Sequence, residues 1–175
     1  SLYHHNRISK EALIVERFRY PLQRVGAYND KLVLQLNADY LSVLSEQGEL
    51  VPQARELLDY LKSRSYRLHI ISNGFKEVQF KKMKSAGIEN YFEKIILSDE
   101  VGVNKPHPDI FRYALNKTGS SKNTSLMIGD NYDADILGAM RSGLDQVYFN
   151  PLQKQISDEF PTYEVQTLSE ICDIL

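Results

Sequence analysis

Three short runs in this chain carry residue types that can grip a phosphoryl group and a hard cation. Ile70-Ile71 leads into Ser72-Asn73-Gly74, where a hydroxyl and a series of backbone N–H groups ahead of a helix would hold a phosphate oxygen. The same tripeptide also reads as an ordinary turn, because Ser, Asn and Gly dominate turns. Lys105 stands in Val103-Asn104-Lys105-Pro106-His107-Pro108, where two prolines restrict the backbone that follows it. An ammonium held this way and pointed inward would neutralise a phosphoryl group or an acidic cluster; a solvated surface lysine is the plain alternative. His107 lacks a second ligand-type neighbour and is read as structural.

Leu126-Met127-Ile128 runs into Gly129-Asp130-Asn131-Tyr132-Asp133-Ala134-Asp135, which puts three carboxylates within six residues of a buried strand's end. Hard oxygen ligands of this kind suit Mg²⁺, which takes one or two carboxylates and completes its shell with water and substrate phosphate. Asp130 would emerge at the strand tip and Asp135 near the first turn of the next helix, while Asp133 serves equally well as a helix cap. The second acid of the site therefore stays open between Asp133 and Asp135. A calcium loop fails on spacing: counted from Asn131, the required glycine is Ile136 and the closing glutamate is Ser142.

These runs must be placed by alternating strands and helices. The spacing predicts helices from Ser9, as a plausible N-cap, to about Tyr20, where Pro21 ends or kinks the first, and from Lys31 to about Leu44. From Val51 the texture changes. A helix over 52–64 is followed by a strand over 66–71, a helix over 75–86 stopped by Gly87, and a short strand over 94–97. Then come a helix from Asp109 to about Thr118, a strand over 125–128, a helix over 133–142, strands over 145–149 and near 163–165, and a last helix over 168–174. Strands separated by helices of this length imply right-handed crossovers. The fold class expected is α/β, a three-layer Rossmann-like doubly wound parallel sheet. Ligands in such folds bind beyond the carboxyl ends of the strands, which is where Ser72, Lys105 and Asp130 fall. The division expected is 1–48 as a helical unit and 49–175 as the α/β core.

Composition narrows the partners. With 175 residues, 42% hydrophobic and 25% charged, the chain has ordinary globular make-up and length for one good core plus a small appendage. A net charge of -2 and a pI near 6.1 give no basic face for nucleic acid. No run approaches the roughly 20 apolar residues of a membrane span. The single cysteine, Cys172, lies in the apolar pattern Leu168, Ile171, Cys172, Leu175, fits packing, and suits a reducing compartment. A cytoplasmic location is the expectation.

At this point the chain resembles the haloacid dehalogenase superfamily. Ile71-Ser72-Asn73-Gly74 is similar to its second motif, Lys105-Pro106 to its third, and Gly129-Asp130 followed by Asp135 to its fourth; Ile136-Leu137-Gly138-Ala139 continues the pattern. The Ser72-Asn73-Gly74-Phe75 run, the Ser98-Asp99-Glu100-Val101-Gly102 loop and the early helices further resemble bacterial 5'-nucleotidases with a helical cap. The resemblance implies that Ser72, Asn73, Gly74 and Lys105 bind phosphate, that Asp130 and Asp135 hold Mg²⁺, and that Ser72, Lys105 and Asp130 are catalytic. It also implies a small phosphorylated metabolite as substrate, attacked by an aspartate to give an aspartyl-phosphate that water hydrolyses. That aspartate belongs to a first motif, Asp-x-Asp-x-Thr or Val, on a central strand, and nothing before Ser72 matches it. The expectation is therefore that residues 1–48 are the end of the cap, that the core lacks its first strand, and that the chain as written turns over no phosphate ester. A 2-haloacid dehalogenase, a phosphomutase and a non-catalytic receiver-like or phosphate-sensing domain are the alternatives. An open slot in the sheet would also invite strand exchange between chains, with the oligomeric state undetermined.

Overall fold

The computed structural model describes residues 10–156 and 159–175; the expected cap at Ser9 lies outside them. Two helices come first: α1, Lys10–Arg24, and α2, Asp30–Glu46. The sequence pattern ends or kinks the first helix at Pro21; α1 continues through it to Arg24. Proline deletes its own N–H, but its carbonyl still accepts, and Val25 N–H closes the following turn on it at 3.3 Å. Asn29 caps α2 through a bond accepted from Leu32 N–H. The hairpin is joined by Phe18 set edge-on to Tyr40 and by the Arg17 guanidinium 4.6 Å above the same ring.

The remaining elements alternate. They are α3 (Ala54–Ser63), β1 (Leu68–Ser72), α4 (Lys76–Ala86), β2 (Phe92–Leu97), α5 (Ser98–Val101) and α6 (Pro108–Thr118). After these come β3 (Leu126–Gly129), a π-helical turn Tyr132–Leu137 running into α7 (Gly138–Arg141), β4 (Asp145–Phe149), β5 (Tyr163–Val165) and α8 (Ile171–Ile174). Left-handed glycines stop α4, α5 and α6 at Gly87, Gly102 and Gly119. The helical pair docks on the rest through α2 and α4, where Leu41 and Leu44 pack on Phe75 and Val78.

All strand pairs are parallel, as the crossovers require, but they fall in two sheets: β1 with β2, and β3 with β4 and β5. The two sheets share both flanking layers. Ile71 of β1 and Met127 of β3 pack on one cluster with Ile96, Ile110, Phe111, Ala114, Ala139 and Leu144. Leu68 of β1 and Leu126 and Ile128 of β3 pack on the other, with Leu57, Leu61, Val147, Val165 and Ile171. Alternation along a strand explains this, since residues 68 and 71, like 126 and 127, point to opposite faces. Burial of each large aliphatic or aromatic side chain in these layers contributes roughly 1.5–3 kcal/mol. Shared layers on both faces make the two sheets neighbours in one three-layer α/β arrangement. β1 and β3, the strands whose ends carry the candidate residues, each keep one edge without a strand partner among the described residues.

His69 is a polar residue within the apolar run of β1. Both of its ring nitrogens are shielded from solvent and without hydrogen-bond partners. Burial holds its pKa below the ordinary 6.5, opposed in part by Glu93 and assisted by Arg67 and Lys94. As pH falls below 6.5 the unfolded chain takes up a proton that the folded chain resists, so stability present above that pH is lost below it. Denaturant midpoints should fall between pH 7 and pH 5 in the parent and fall less in His69→Leu. Parallel pH curves would refute this assignment.

Candidate active site

The C-terminal ends of β1 and β3 and the loop before α6 converge on one buried ion pair. Lys105 Nζ lies 2.6 Å from Asp135 Oδ1 and 2.7 Å from the Ile71 carbonyl oxygen. Their side chains are 11% and 7% exposed, so this is a desolvated pair, unlike the half-exposed ion pair of Arg67 and Glu93. An ammonium has three donors, and two are spoken for, which leaves one directed elsewhere. Asp135 is held at its other oxygen as well, where Oδ2 accepts from Asn131 N–H at 3.2 Å.

The local fold explains why these groups meet. Asn131 caps the π-helical turn, its Oδ1 accepting from Ala134 N–H at 2.9 Å, so Asp135 enters the turn facing back toward the strand. Gly129 makes room for it: a Cβ there would sit 2.5 Å from Asp135 Cβ. Gly138 does the same one turn on, since a Cβ would come 2.9 Å from Pro106 Cα and 2.7 Å from Phe111. Two glycines thus bring the acidic turn flush against the Lys105 loop. On the β1 side, Ser72 Oγ accepts from Gly74 N–H at 3.0 Å, so its own O–H remains to donate outward. Asn73 reaches across to the Lys105 main chain, donating from Nδ2 to its carbonyl at 2.9 Å and accepting its N–H at 2.8 Å.

Asp130 is exposed at the tip of β3 and Asp133 is exposed one residue into the π-helical turn, while Asp135 is buried. The rim carries a concentrated negative field. The Tyr148 phenol is held above its ordinary pKa first by burial and then by the charges of Glu164 and Asp130, with smaller effects from Tyr132 and Asp133. That field and a hard-oxygen donor set fit a small divalent cation held through one or two carboxylates. Among the described residues no three acidic, histidine or cysteine side chains close a protein-only cage.

Ser72, Lys105 and Asp135 therefore come together at one rim, with Asp130 at the strand tip beside them. Spacing alone had not revealed the clasp from Asn73 to Lys105, the Ile71 carbonyl as a lysine acceptor, or the capping by Asn131. An Asn three residues before Ala134 and directly after Gly-Asp is the one signal that would have pointed to the last of these. Nor does any described helix have the length and apolarity to cross a membrane.

Comparison with known proteins bears on the same rim. The family model described as haloacid dehalogenase-like hydrolase matches residues 12–149. The chain is 31% identical over 172 residues to the pyrimidine 5'-nucleotidase PynA of Streptococcus pneumoniae, covering 97% of this chain and 71% of that protein. It is 39% identical over 99 residues to a glyceraldehyde 3-phosphate phosphatase of Methanothermobacter thermautotrophicus, covering 57% of this chain and 44% of that protein. A crystal structure of the putative HAD-hydrolase YfnB from Bacillus subtilis, bound to magnesium, superposes with a TM-score of 0.88 at 29% identity, over 99% of this chain and 75% of that one. By the extent of the family match and by this likeness to PynA, the chain belongs to the haloacid dehalogenase-like hydrolases.

Proposed function

We propose that the rim is the phosphoryl-transfer site of a Mg²⁺-dependent phosphomonoester hydrolase whose substrate is a nucleoside monophosphate. The observation that carries this reading is Lys105, a buried ammonium fixed by Ile71 and Asp135 with its third N–H left to meet an anion. Ser72 stands on the same strand tip with an O–H to donate. Between them they offer two donors to the equatorial oxygens of a transferring phosphoryl group. The nucleotide is preferred over a triose phosphate on the likeness to PynA, which covers 97% of the chain; glyceraldehyde 3-phosphate phosphatases match up to 90% of it, and an assay on both substrates separates them.

The open edges of β1 and β3 are read as the two sides of a slot for one more parallel strand, in a core of residues 49–175 approached by the cap helices of 1–48. A strand seated there and ending in Asp-x-Asp would bring its first carboxylate to Lys105. One carboxylate oxygen then attacks phosphorus as the P–O ester bond breaks, and the second aspartate gives its proton to the leaving oxygen. That aspartate next removes a proton from water, whose oxygen attacks the acyl-phosphate phosphorus; phosphate departs and the first carboxylate is regenerated. Lys105 keeps that carboxylate ionised and offsets the charge of the transferring group. Asp130, with Asp133 or Asp135, would hold Mg²⁺, which supplies Lewis-acid charge at the phosphoryl oxygens.

The first test is the coding sequence upstream of Ser1, where Asp-x-Asp-x-Thr or Val after an apolar run is expected; its absence there would favour a phosphate sensor. The protein expressed from the complete coding sequence should release phosphate from p-nitrophenyl phosphate and nucleoside monophosphates only with Mg²⁺. Asp130→Asn should lower turnover by roughly 10²- to 10³-fold, the scale for loss of one electrostatic contact in a transition state. Unchanged turnover in EDTA, or in Asp130→Asn, would remove the metal from the scheme.

A further inference from the structure

We propose that Asn73 is a positioning residue for Lys105, not a ligand of the phosphoryl group; this rests on the rim being a phosphoryl site and deepens that reading. Its side-chain amide and the Lys105 peptide exchange two hydrogen bonds, Nδ2 to the Lys105 carbonyl at 2.9 Å and Lys105 N–H to Oδ1 at 2.8 Å. One bond would leave the lysine peptide free to swing about it. Two bonds from one planar amide fix both its place and its tilt, the way two residues of paired strands fix one another. Nζ of the same lysine is bonded to the Ile71 carbonyl, two residues before Asn73. The tip of β1 therefore holds Lys105 at both ends, backbone and ammonium, with Asp135 closing the arrangement from the β3 side.

Both kinds of polar atom on the Asn73 amide are turned to the lysine main chain. The clasp takes Oδ1 and one of the two Nδ2 N–H groups, so a double-mutant cycle decides whether the second N–H reaches the phosphoryl group. An aspartate here would keep an acceptor for Lys105 N–H but set a carboxylate oxygen against the Lys105 carbonyl. A glutamine would carry the amide one methylene too far.

A double-mutant cycle on the protein expressed from its complete coding sequence tests this, with p-nitrophenyl phosphate as substrate. Asn73→Ala should lower kcat by roughly 10²-fold, the scale of a displacement of about 1 Å at a catalytic group, with KM little changed. In a Lys105→Ala background the same substitution should cost nothing further. Losses that multiply in the double variant would mean that Asn73 touches the phosphoryl group itself, and unchanged kcat in Asn73→Ala would mean that the clasp positions nothing; either overturns the proposal. A second measurement needs no substrate: amide hydrogen exchange at Lys105, whose N–H is held by Asn73 Oδ1, should quicken by roughly fivefold or more in Asn73→Ala, matching loss of one hydrogen bond. Unchanged exchange at that amide overturns the clasp even if the protein hydrolyses no phosphate ester. Faster exchange in a protein without turnover would instead leave the clasp standing and remove the phosphatase reading.

Discussion

Replacing Lys105 by alanine should destabilise the protein by about 3–5 kcal/mol, the range for breaking a buried ion pair from one side. The reason is what remains. Asp135 would keep its carboxylate at 7% side-chain exposure with the Asn131 N–H still bonded to it, and the Ile71 carbonyl would lose the Lys105 donor too. Against a total folding stability of about 5–15 kcal/mol for a domain, this is a large fraction. The double variant Lys105→Met with Asp135→Leu should recover much of the loss, because neither charge is then left buried alone. Guanidinium titrations of the parent, both single variants and the double measure this directly. Single variants that unfold with the parent's midpoint would show that the pair is neither buried nor coupled in solution. The same series separates stability from chemistry, for the double variant should regain its fold and still lack turnover.

The order of strands and helices was legible because hydrophobic period and punctuation agreed: Gly87 and Gly119 stop helices where the patterns stop, and β4 spans the residues its apolar run marks. Ser72 and Asp130 drew notice because each stands at the end of an apolar strand, and Lys105 because prolines follow it, although each also allowed a plain reading as turn, cap or surface charge. What could not be read were relations between runs. Nothing local says that Asn73 bonds the peptide of Lys105, thirty-two residues away, or that Asp135 turns inward while Asp130 and Asp133 stay in solvent. The inward turn of Asp135 follows from the close approach that Gly129 permits, and a glycine in sequence signals freedom without naming the neighbour that uses it. Pro21 illustrates the opposite limit: a local rule predicts an end or a kink, and the turn closed by Val25 N–H carries the helix past the proline.

Gly129→Ala should be the most damaging single-methyl addition at this rim. The new Cβ would fall 2.5 Å from both Cβ and Oδ2 of Asp135 and 2.6 Å from its Cγ, well inside van der Waals contact. Asp135 cannot yield cheaply, because one oxygen is tied to Lys105 and the other to Asn131 N–H. Nor can Gly129 retreat, since it pairs with Tyr148 in the parallel ladder between β3 and β4. Overpacking of this kind costs about 1–3 kcal/mol if the pair bends. If Asp135 swings out, the cost approaches the 3–5 kcal/mol or so of the broken pair, and the ammonium loses its anchor. Either way turnover should fall by roughly 10²-fold or more, since Lys105 is displaced on the scale of an ångström. In the protein expressed from the complete coding sequence, thermal unfolding together with phosphate release from p-nitrophenyl phosphate distinguishes the two routes: a bent pair loses rate with modest destabilisation, an expelled Asp135 loses both. An alanine variant with the parent's melting temperature and turnover would mean that the Asp135 side chain does not rest on residue 129, and the geometry assigned to this rim would fail with it.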